Sequence, residues 1–350
     1  MNIPDVVLFA SFAACAFYVL TILALLRGLK RSAPGTWTDA KPFVSVIVAA
    51  RNEEENIGRL LKSLTNQSYD SYEVIIVDDR SEDKTTEIVL SYASLHKNVR
   101  LLRVSHVGDM PPKKNALEAG IHESKSEILL FTDADCVPPA EWVAEFARVF
   151  TDGVGLVAGY SPYDMTLVQG HIQTVRSRLA AAFLAFEELK TALWSAGSIG
   201  IGKAWLCTGR NLAYRKSVWL EAGGFESIKH SVSGDDDLFL QHVRRTTSRE
   251  IRYLSTPAAV VPTLPPRSVR SFIAQRTRHF SAGRYFPLSM QAFFTAFHLS
   301  NFSLYAGLVA FLGGAFPAGI MLFALKSVAD ILFVGLGRRR LRIGTVVSSV

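Results

Sequence analysis

An uncharged run of 21 residues, Val6 to Leu26, constrains this chain more than any other feature. At about 1.5 Å per residue, a helix of that length crosses a hydrocarbon core of about 30 Å. A helix buried in a water-soluble domain is rarely apolar on all its faces for so long. A cleaved export signal carries positive charge ahead of its apolar run, but here only Asp5 precedes it, and Arg27, Lys30 and Arg31 come after it. The FAAC stretch ending at Cys15 looks like a lipoprotein cleavage box, yet it lies inside the apolar run with no basic leader. Residues 1–31 therefore read as an uncleaved transmembrane anchor. The basic residues at its end place the chain after Leu26 in the cytoplasm.

A second apolar concentration lies at 293–337. Phe293 to Phe311 and Ala315 to Leu336 read as a transmembrane hairpin around Gly313-Gly314, and Arg338-Arg339-Arg340 come directly after it. The hairpin returns these arginines to the side of Arg27, so residues 338–350 read as a cytoplasmic basic tail. The stretch after Arg342 is too short for a further span. The expectation is a multi-pass protein of the cell membrane whose globular part faces the cytoplasm. His298, Lys326 and Asp330 are costly against lipid, so they should face other helices or lie near an interface. Lys326 and Asp330 are four apart and can pair on one helix face. The net charge of +7 gathers beside the apolar segments, which points to an anionic phospholipid surface rather than nucleic acid. Three cysteines without metal spacing fit a reducing compartment and no disulfide.

After a polar linker, Ser32 to Lys41, the pattern of 42–262 alternates short β-branched runs with helical periods. Val44–Ala49, Val74–Val77, Val99–Val104, Ile128–Phe131 and Gly155–Ala158 read as strands. The helices fall around Ile57–Leu64, over Thr85–Leu95, Lys114–His122 and Ala140–Phe150, and over Leu238–Val243. This order predicts an α/β domain with a mostly parallel sheet covered by helices on both faces. Ligands in such sheets sit beyond the carboxyl ends of the strands. There the sequence is polar: Arg51-Asn52-Glu53, Asp78-Asp79-Arg80 and Asp133-Ala134-Asp135. Neither a GxGxxG nor a Walker loop is present, so the common dinucleotide and P-loop modes are absent.

Asp133 and Asp135 directly follow a buried strand. Two carboxylates so close repel and call for a cation, and Mg²⁺ or Mn²⁺ suits carboxylates and phosphate oxygens together. The plainer alternative is a capped turn before Pro138-Pro139. Asp78 and Asp79 supply either turn residues or an acceptor for a base or ribose. Lys113 and Lys114 open a helix, where cations oppose the dipole, and this suggests a phosphate nearby. Asp235, Asp236 and Asp237 precede another helix. They either stabilise its N-terminus or include a general base, and their chemistry does not separate them. From Arg267 to Phe286 basic residues alternate with Phe272, Ile273 and Phe280, so 263–292 reads as an amphipathic interfacial segment.

Taken together, SVIVAARNEEENI, VDDRSEDKT, PPKKNALEAGI, FTDADC, TGRNLAYRK, GGF with SGDDDLFL, and QRTRH resemble the family 2 glycosyltransferases over roughly 42–286. The flanking apolar segments are similar to the membrane-integrated branch, with ceramide glucosyltransferase-like and polysaccharide synthase-like enzymes. The resemblance implies a GT-A fold, a Rossmann-like nucleotide-diphospho-sugar transferase domain, and inverting transfer from a nucleoside diphosphate sugar, UDP-linked, to a membrane lipid or lipid-borne glycan. It implies that Ala49, Arg51, Glu53 and Asp79 hold base and ribose, that Lys113 faces the diphosphate, and that Asp133 contacts donor ribose or sugar. Asp135 is then the main metal ligand, with Asp133 beside it. Asp235 takes the catalytic base position. Arg210, Asn211, Asp236, Asp237, Gln275 and Arg278 line the acceptor and diphosphate side. The sequence departs from the pattern twice. Gly234 stands where the family has Glu, and His279 replaces the Trp of the QxxRW motif of processive members. The second departure, with few spans, weighs against a processive polysaccharide synthase. A non-catalytic scaffold or sugar-nucleotide sensor would lose the base or the metal ligand, and both candidates are present.

Overall fold

In the computed structural model, which describes residues 3–32, 36–105, 108–164 and 175–341, the chain forms a seven-stranded sheet of order β3-β2-β1-β4-β6-β5-β7. Its strands are β1 (Val44–Ala50), β2 (Tyr72–Asp78), β3 (Val99–Arg103), β4 (Ile128–Phe131), β5 (Val154–Gly159), β6 (Leu212–Arg215) and β7 (Glu250–Leu254). Pairing is parallel from β3 through β4 and between β5 and β7; β6 alone runs antiparallel to both neighbours. The chain moves outward from β1 to β2 and β3, then crosses back to β4 on the other side of β1. The ends of β1 and β4 therefore form a topological switch point, where a ligand crevice opens.

The period-two alternation of the strands feeds two cores. Val44, Val46 and Val48 of β1 pack with Leu60, Leu61 and Leu64 of α2 (Ile57–Thr65) and with Trp142 and Phe146. Ile47, Ile75 and Val77 face the other way, onto Leu117 and Ile121. The remaining helices of this part are α3 (Thr85–Leu95), α4 (Pro112–Glu123) and α5 (Trp142–Val149). The second core has no boundary at the membrane side. It runs on through Leu193 and Trp194 to Tyr18, Ile22, Leu25, Phe297, Leu322 and Phe333.

Among the described residues, three helices are long and apolar enough to cross a membrane: α1 (Ile3–Arg31), in which the apolar stretch is Leu8–Arg31, and, after α6 (Val175–Gly200), α7 (Lys216–Glu221), α8 (Asp237–Thr246) and α9 (Val269–Ser281), the pair α10 (Leu288–Leu312) and α11 (Ala318–Arg340). The expected pairing of Lys326 with Asp330 is present, at 2.6 Å, and Lys326 is buried. Tyr18 of α1 donates to the other oxygen of Asp330 at 2.6 Å, closing the set between helices. Of the two placements expected for His298, against other helices or near an interface, the first is not met: it lies exposed on α10, and Phe297 takes the inward position.

Sequence patterning gave no sign of α6, β6 or β7. Of these α6 matters most, since it joins the sheet to the apolar helices. It crosses α1 with backbones in contact: a Cβ on Gly28 would lie 1.9 Å from the Gly197 carbonyl oxygen, and one on Gly200 would lie 2.0 Å from that of Gly28. Only glycine permits this approach.

Candidate active site

The crevice beyond β1, β2 and β4 is built in two halves. On the first half, the loops after β1 and β2 are stapled together. The backbone N–H groups of Asn52, Glu53 and Glu54 donate to Ser81, Thr85 and Asp83, at 3.0, 2.7 and 3.0 Å, and the Asn52 side chain accepts from the Glu82 N–H at 2.8 Å. Asp78 is spent on this framework, accepting from the Ser81 N–H and the Thr86 hydroxyl. Asp79 is also buried but faces cations: Arg80 at 2.8 Å and Arg51 at 3.8 Å. Arg51 is half exposed and directly follows β1, of which Ala49 is the residue before the last. Burial raises the pKa of Glu53, and the charges of Asp135 and Asp133 add to the rise, against an opposing bond from Asn56.

The second half carries charge. Lys113, on the first turn of α4, lies 2.9 Å from Asp133 and 3.2 Å from Asp235. One nitrogen thus brings the aspartate after β4 and the aspartate before α8 to one point. Crowding works against the lysine's charge, but Asp133, Asp235 and Asp236 overcome this and hold its pKa well above the usual value. Asp133 is moved the other way. Burial would raise its pKa, yet Lys113, Arg210 and Arg278 together hold it below the ordinary carboxylate range. Asp135 is raised, by burial first and by the charge of Asp133 second, with Arg210 offsetting only part.

This asymmetry bears on a cation. Asp133 has its lysine, while Asp135 has no ion-pair partner among the described residues. No group of three or more His, Cys, Asp or Glu side chains among the described residues can hold a metal unaided. Two carboxylates fit a Mg²⁺- or Mn²⁺-type ion that completes its shell with phosphate oxygens and water. The site suits such an ion in charge and in donor chemistry.

The structure separates residues that sequence left equivalent. Lys114 turns inward and is buried, donating to the carbonyls of Ile228, Ser231 and Ser233, so it ties down the loop that leads to Asp235. Asp236 accepts from the backbone N–H of Gly209 at 3.0 Å and of Asp237 at 2.7 Å. Asp237 accepts from that of Cys207 at 2.6 Å. Burial and neighbouring carboxylates raise the pKa of both. These two were expected to line the acceptor and diphosphate side; their carboxylates instead bind the 207–209 backbone. Asp235 alone presents its carboxylate to Lys113. The glycine that replaces the family's Glu has a physical reason: Gly234 sits at φ +90°, and a Cβ there would come 2.5 Å from Leu238.

Asn211 likewise departs from expectation. It is fully buried, its amide donates to the carbonyls of Tyr160 and Ala259 at 2.8 Å each, and it accepts from the Trp142 indole at 3.0 Å. It fastens β6 to its surroundings, with its amide spent on these three partners. Arg210 is mostly buried and pairs with Glu188 of α6 at 2.7 Å. Glu188 also holds Arg276 of α9 at 3.2 Å. Gln275 accepts from the Tyr163 hydroxyl at 3.0 Å, and Arg278 stays exposed on α9 with its charge felt at Asp133. Glu188 is the residue sequence reasoning missed; it lies in an unread helix, and nothing local in FEELK marks it.

Residues 45–193 match the model for glycosyl transferase family 2, and residues 128–337, more than half of the chain, match that for glycosyl transferase family group 2. The chain belongs to the family 2 glycosyltransferases. This family 2 chain is similar to glycosyltransferase AglE of Haloferax volcanii, 36% identical over 35% of the chain and 40% of the relative. It is 26% identical to the probable glycosyltransferase YdaM of Bacillus subtilis over 72% of the chain and 58% of the relative. It is 36% identical to a beta-monoglucosyldiacylglycerol synthase of Nostoc over 31% of the chain and 24% of the relative. The chain thus spans between a quarter and three fifths of the curated relatives it matches. The mannosyltransferase PcManGT of Pyrobaculum calidifontis, solved with GDP-Man and Mn²⁺, shares the fold along nearly the whole chain. The two are 20% identical, with TM-score 0.55, over 96% of this chain and 97% of that one.

Proposed function

We propose that the chain is an inverting, metal-dependent glycosyltransferase. It moves a sugar from a nucleoside diphosphate sugar to a membrane lipid or lipid-borne glycan in the synthesis of cell-envelope glycoconjugates. The observation that carries this reading is the meeting of Lys113, Asp133 and Asp235 at the switch point, with Asp135 beside them. A lipid acceptor is supported by the three apolar helices that share a core with the sheet, and by relatives named as a diacylglycerol glycolipid synthase and a dolichyl-phosphate beta-glucosyltransferase.

A divalent cation, held by Asp135 with Asp133, would neutralise the diphosphate leaving group. The remaining work falls to the chain. The first-half loops receive base and ribose between Arg51, Glu53 and Asp79. Lys113 keeps its charge at all physiological pH, so the diphosphate competes with the aspartates for it. As the lysine turns to the diphosphate, Asp235 is released to accept the proton of the attacking acceptor hydroxyl. A base so placed contributes about 10²–10⁴-fold to the rate. Arg210, held in place by Glu188, acts from behind on Asp133, and Asp236 and Asp237 hold the 207–209 backbone in place.

The test is a screen of UDP- and GDP-linked sugars with membrane lipid extract, followed by mass analysis of the product. Asp135→Asn should lose donor hydrolysis and transfer, and Asp235→Asn should lose transfer, both with unfolding curves like the parent. Full activity in either variant sinks the role given to that residue. A single addition is expected; a ladder of lengths would mark a processive synthase instead.

A further inference from the structure

A second cavity, of about 400 Å³, opens between the last residues of α1, the C-terminal end of α6 and β7. It shares no lining residue with the catalytic crevice, and the glycosyl-transfer chemistry makes no use of it. Four arginines line it: Arg31, Arg244, Arg249 and Arg252. The single acidic lining residue among those described is Glu250, and Arg252 holds both its oxygens at 2.8 Å. The other three arginines are left without a carboxylate among the described residues. Arg244 donates to the Gly202 carbonyl at 3.0 Å and Arg249 to that of Asp152 at 3.3 Å. One carbonyl each uses a small part of a guanidinium's five N–H donors. Like charges gathered at one cavity raise the cost of that arrangement unless an anion shares it.

The position of the cavity narrows the choice of anion. Arg31 ends α1, where the apolar stretch stops. Arg340 of α11 reaches the Leu26 carbonyl at 3.4 Å, so both helices bring their basic ends to one level. β7 is the edge strand of the sheet, and Ile199, Ala204 and Leu254 give the cavity an apolar wall beside the arginines. A group that carries phosphate on one side and hydrocarbon on the other fits both surfaces.

We propose that this cavity binds a phosphate-bearing anion, namely the headgroup of an anionic phospholipid in the leaflet that contacts the end of α1. Arginine forks suit phosphate oxygens in geometry as well as charge. The site holds the sheet edge against the membrane and leaves the transfer chemistry to the crevice.

The experiment uses the full chain in phosphatidylcholine nanodiscs, with phosphatidylglycerol added in steps or inorganic phosphate added to the buffer. The unfolding midpoint is followed, and lipids retained per protein are counted by native mass spectrometry. The parent should show a saturable rise in midpoint with phosphatidylglycerol and one retained lipid more than the variant Arg31→Gln/Arg244→Gln/Arg249→Gln. Apparent lipid affinity should fall roughly five-fold for each arginine removed, near the weight of one basic residue at such a surface. If the triple variant does not fold, the single exposed changes Arg244→Gln and Arg249→Gln supply the same comparison. Saturable stabilisation by inorganic phosphate alone, lost in the variants, would keep the phosphate site and make its ligand a soluble anion. Variants that respond like the parent would overturn the site. So would an equal loss of response in Arg338→Gln/Arg339→Gln, outside the cavity, because the effect would then be surface charge.

Discussion

Among its described residues the chain has two lysine–aspartate clusters, and they behave as opposites. In the crevice, Lys113 is shared by Asp133 and Asp235 and remains 41% exposed. Among the apolar helices, Lys326 is 4% exposed, pairs with Asp330, and lies over the rings of Tyr18 and Tyr305 at 5.0 and 4.9 Å. The first cation has two competing partners and an open side, so an incoming diphosphate can replace them. The second is closed, because Tyr18 takes the remaining aspartate oxygen. Equal chemistry thus serves exchange in one place and fixed register in the other, and access to ligand decides which.

The largest expected effect tests the closed cluster. Lys326→Met takes the cation from Asp330, which keeps only its Tyr18 bond among the partners described, and should cost about 3 kcal/mol of stability. Lys326→Met/Asp330→Asn should recover much of it, since Asn can still accept from Tyr18. Unfolding in detergent measures both, and a single variant as stable as the parent would dissolve the contrast. Next comes the open cluster: Lys113→Met should lower kcat/KM for the donor about 10²–10³-fold while changing the unfolding midpoint little. A variant that fails to fold would mean that Lys113 is structural, like its neighbour Lys114.

A smaller effect separates Asp235 from its neighbour Asp236. Asp236→Ala frees two backbone N–H groups and should cost about 1–3 kcal/mol, read as an unfolding shift with transfer retained in the folded fraction. The smallest lies far from both clusters. Burial would raise the pKa of Glu73, but the Lys125 N–H, Ser45 and Arg100 together hold it below its ordinary 4.5. Its folded pKa is depressed, so its contribution is present above pH about 4.5 and is lost as pH falls through the folded value. Glu73→Gln should flatten that acid limb of the stability curve and leave the neutral region nearly parallel to the parent.

Legibility in the sequence tracked the range of each signal. The β-branched runs of β1, β2 and β4 are local, and so are the polar residues after them; strands and crevice edge were legible together. Asp135 also stood out early, because strand position, metal chemistry and family pattern agree on it. Asp235, Asp236 and Asp237 could not be ranked, nor could Lys113 and Lys114, because the deciding partners are backbone groups around 207–209 and 228–233. Asn211 misled for the same reason: its three partners come from β5's end, α5 and the 257–259 turn. α6 has no clear apolar stripe in its sequence, so neither it nor Glu188 could be found before the fold.

That helix gives the molecule a measuring stick. Glu188 grips the arginine behind the crevice, and twelve residues later Gly200 rests on the backbone of α1. At about 1.5 Å per residue the two points are roughly 18 Å apart along one stiff axis. On the function proposed above, the reaction would take place at a set height above the apolar helices. A membrane-borne acceptor would then reach that height or fall short by the length of its own stalk, and selection would rest on how far it stands out of the bilayer before any side chain touches it.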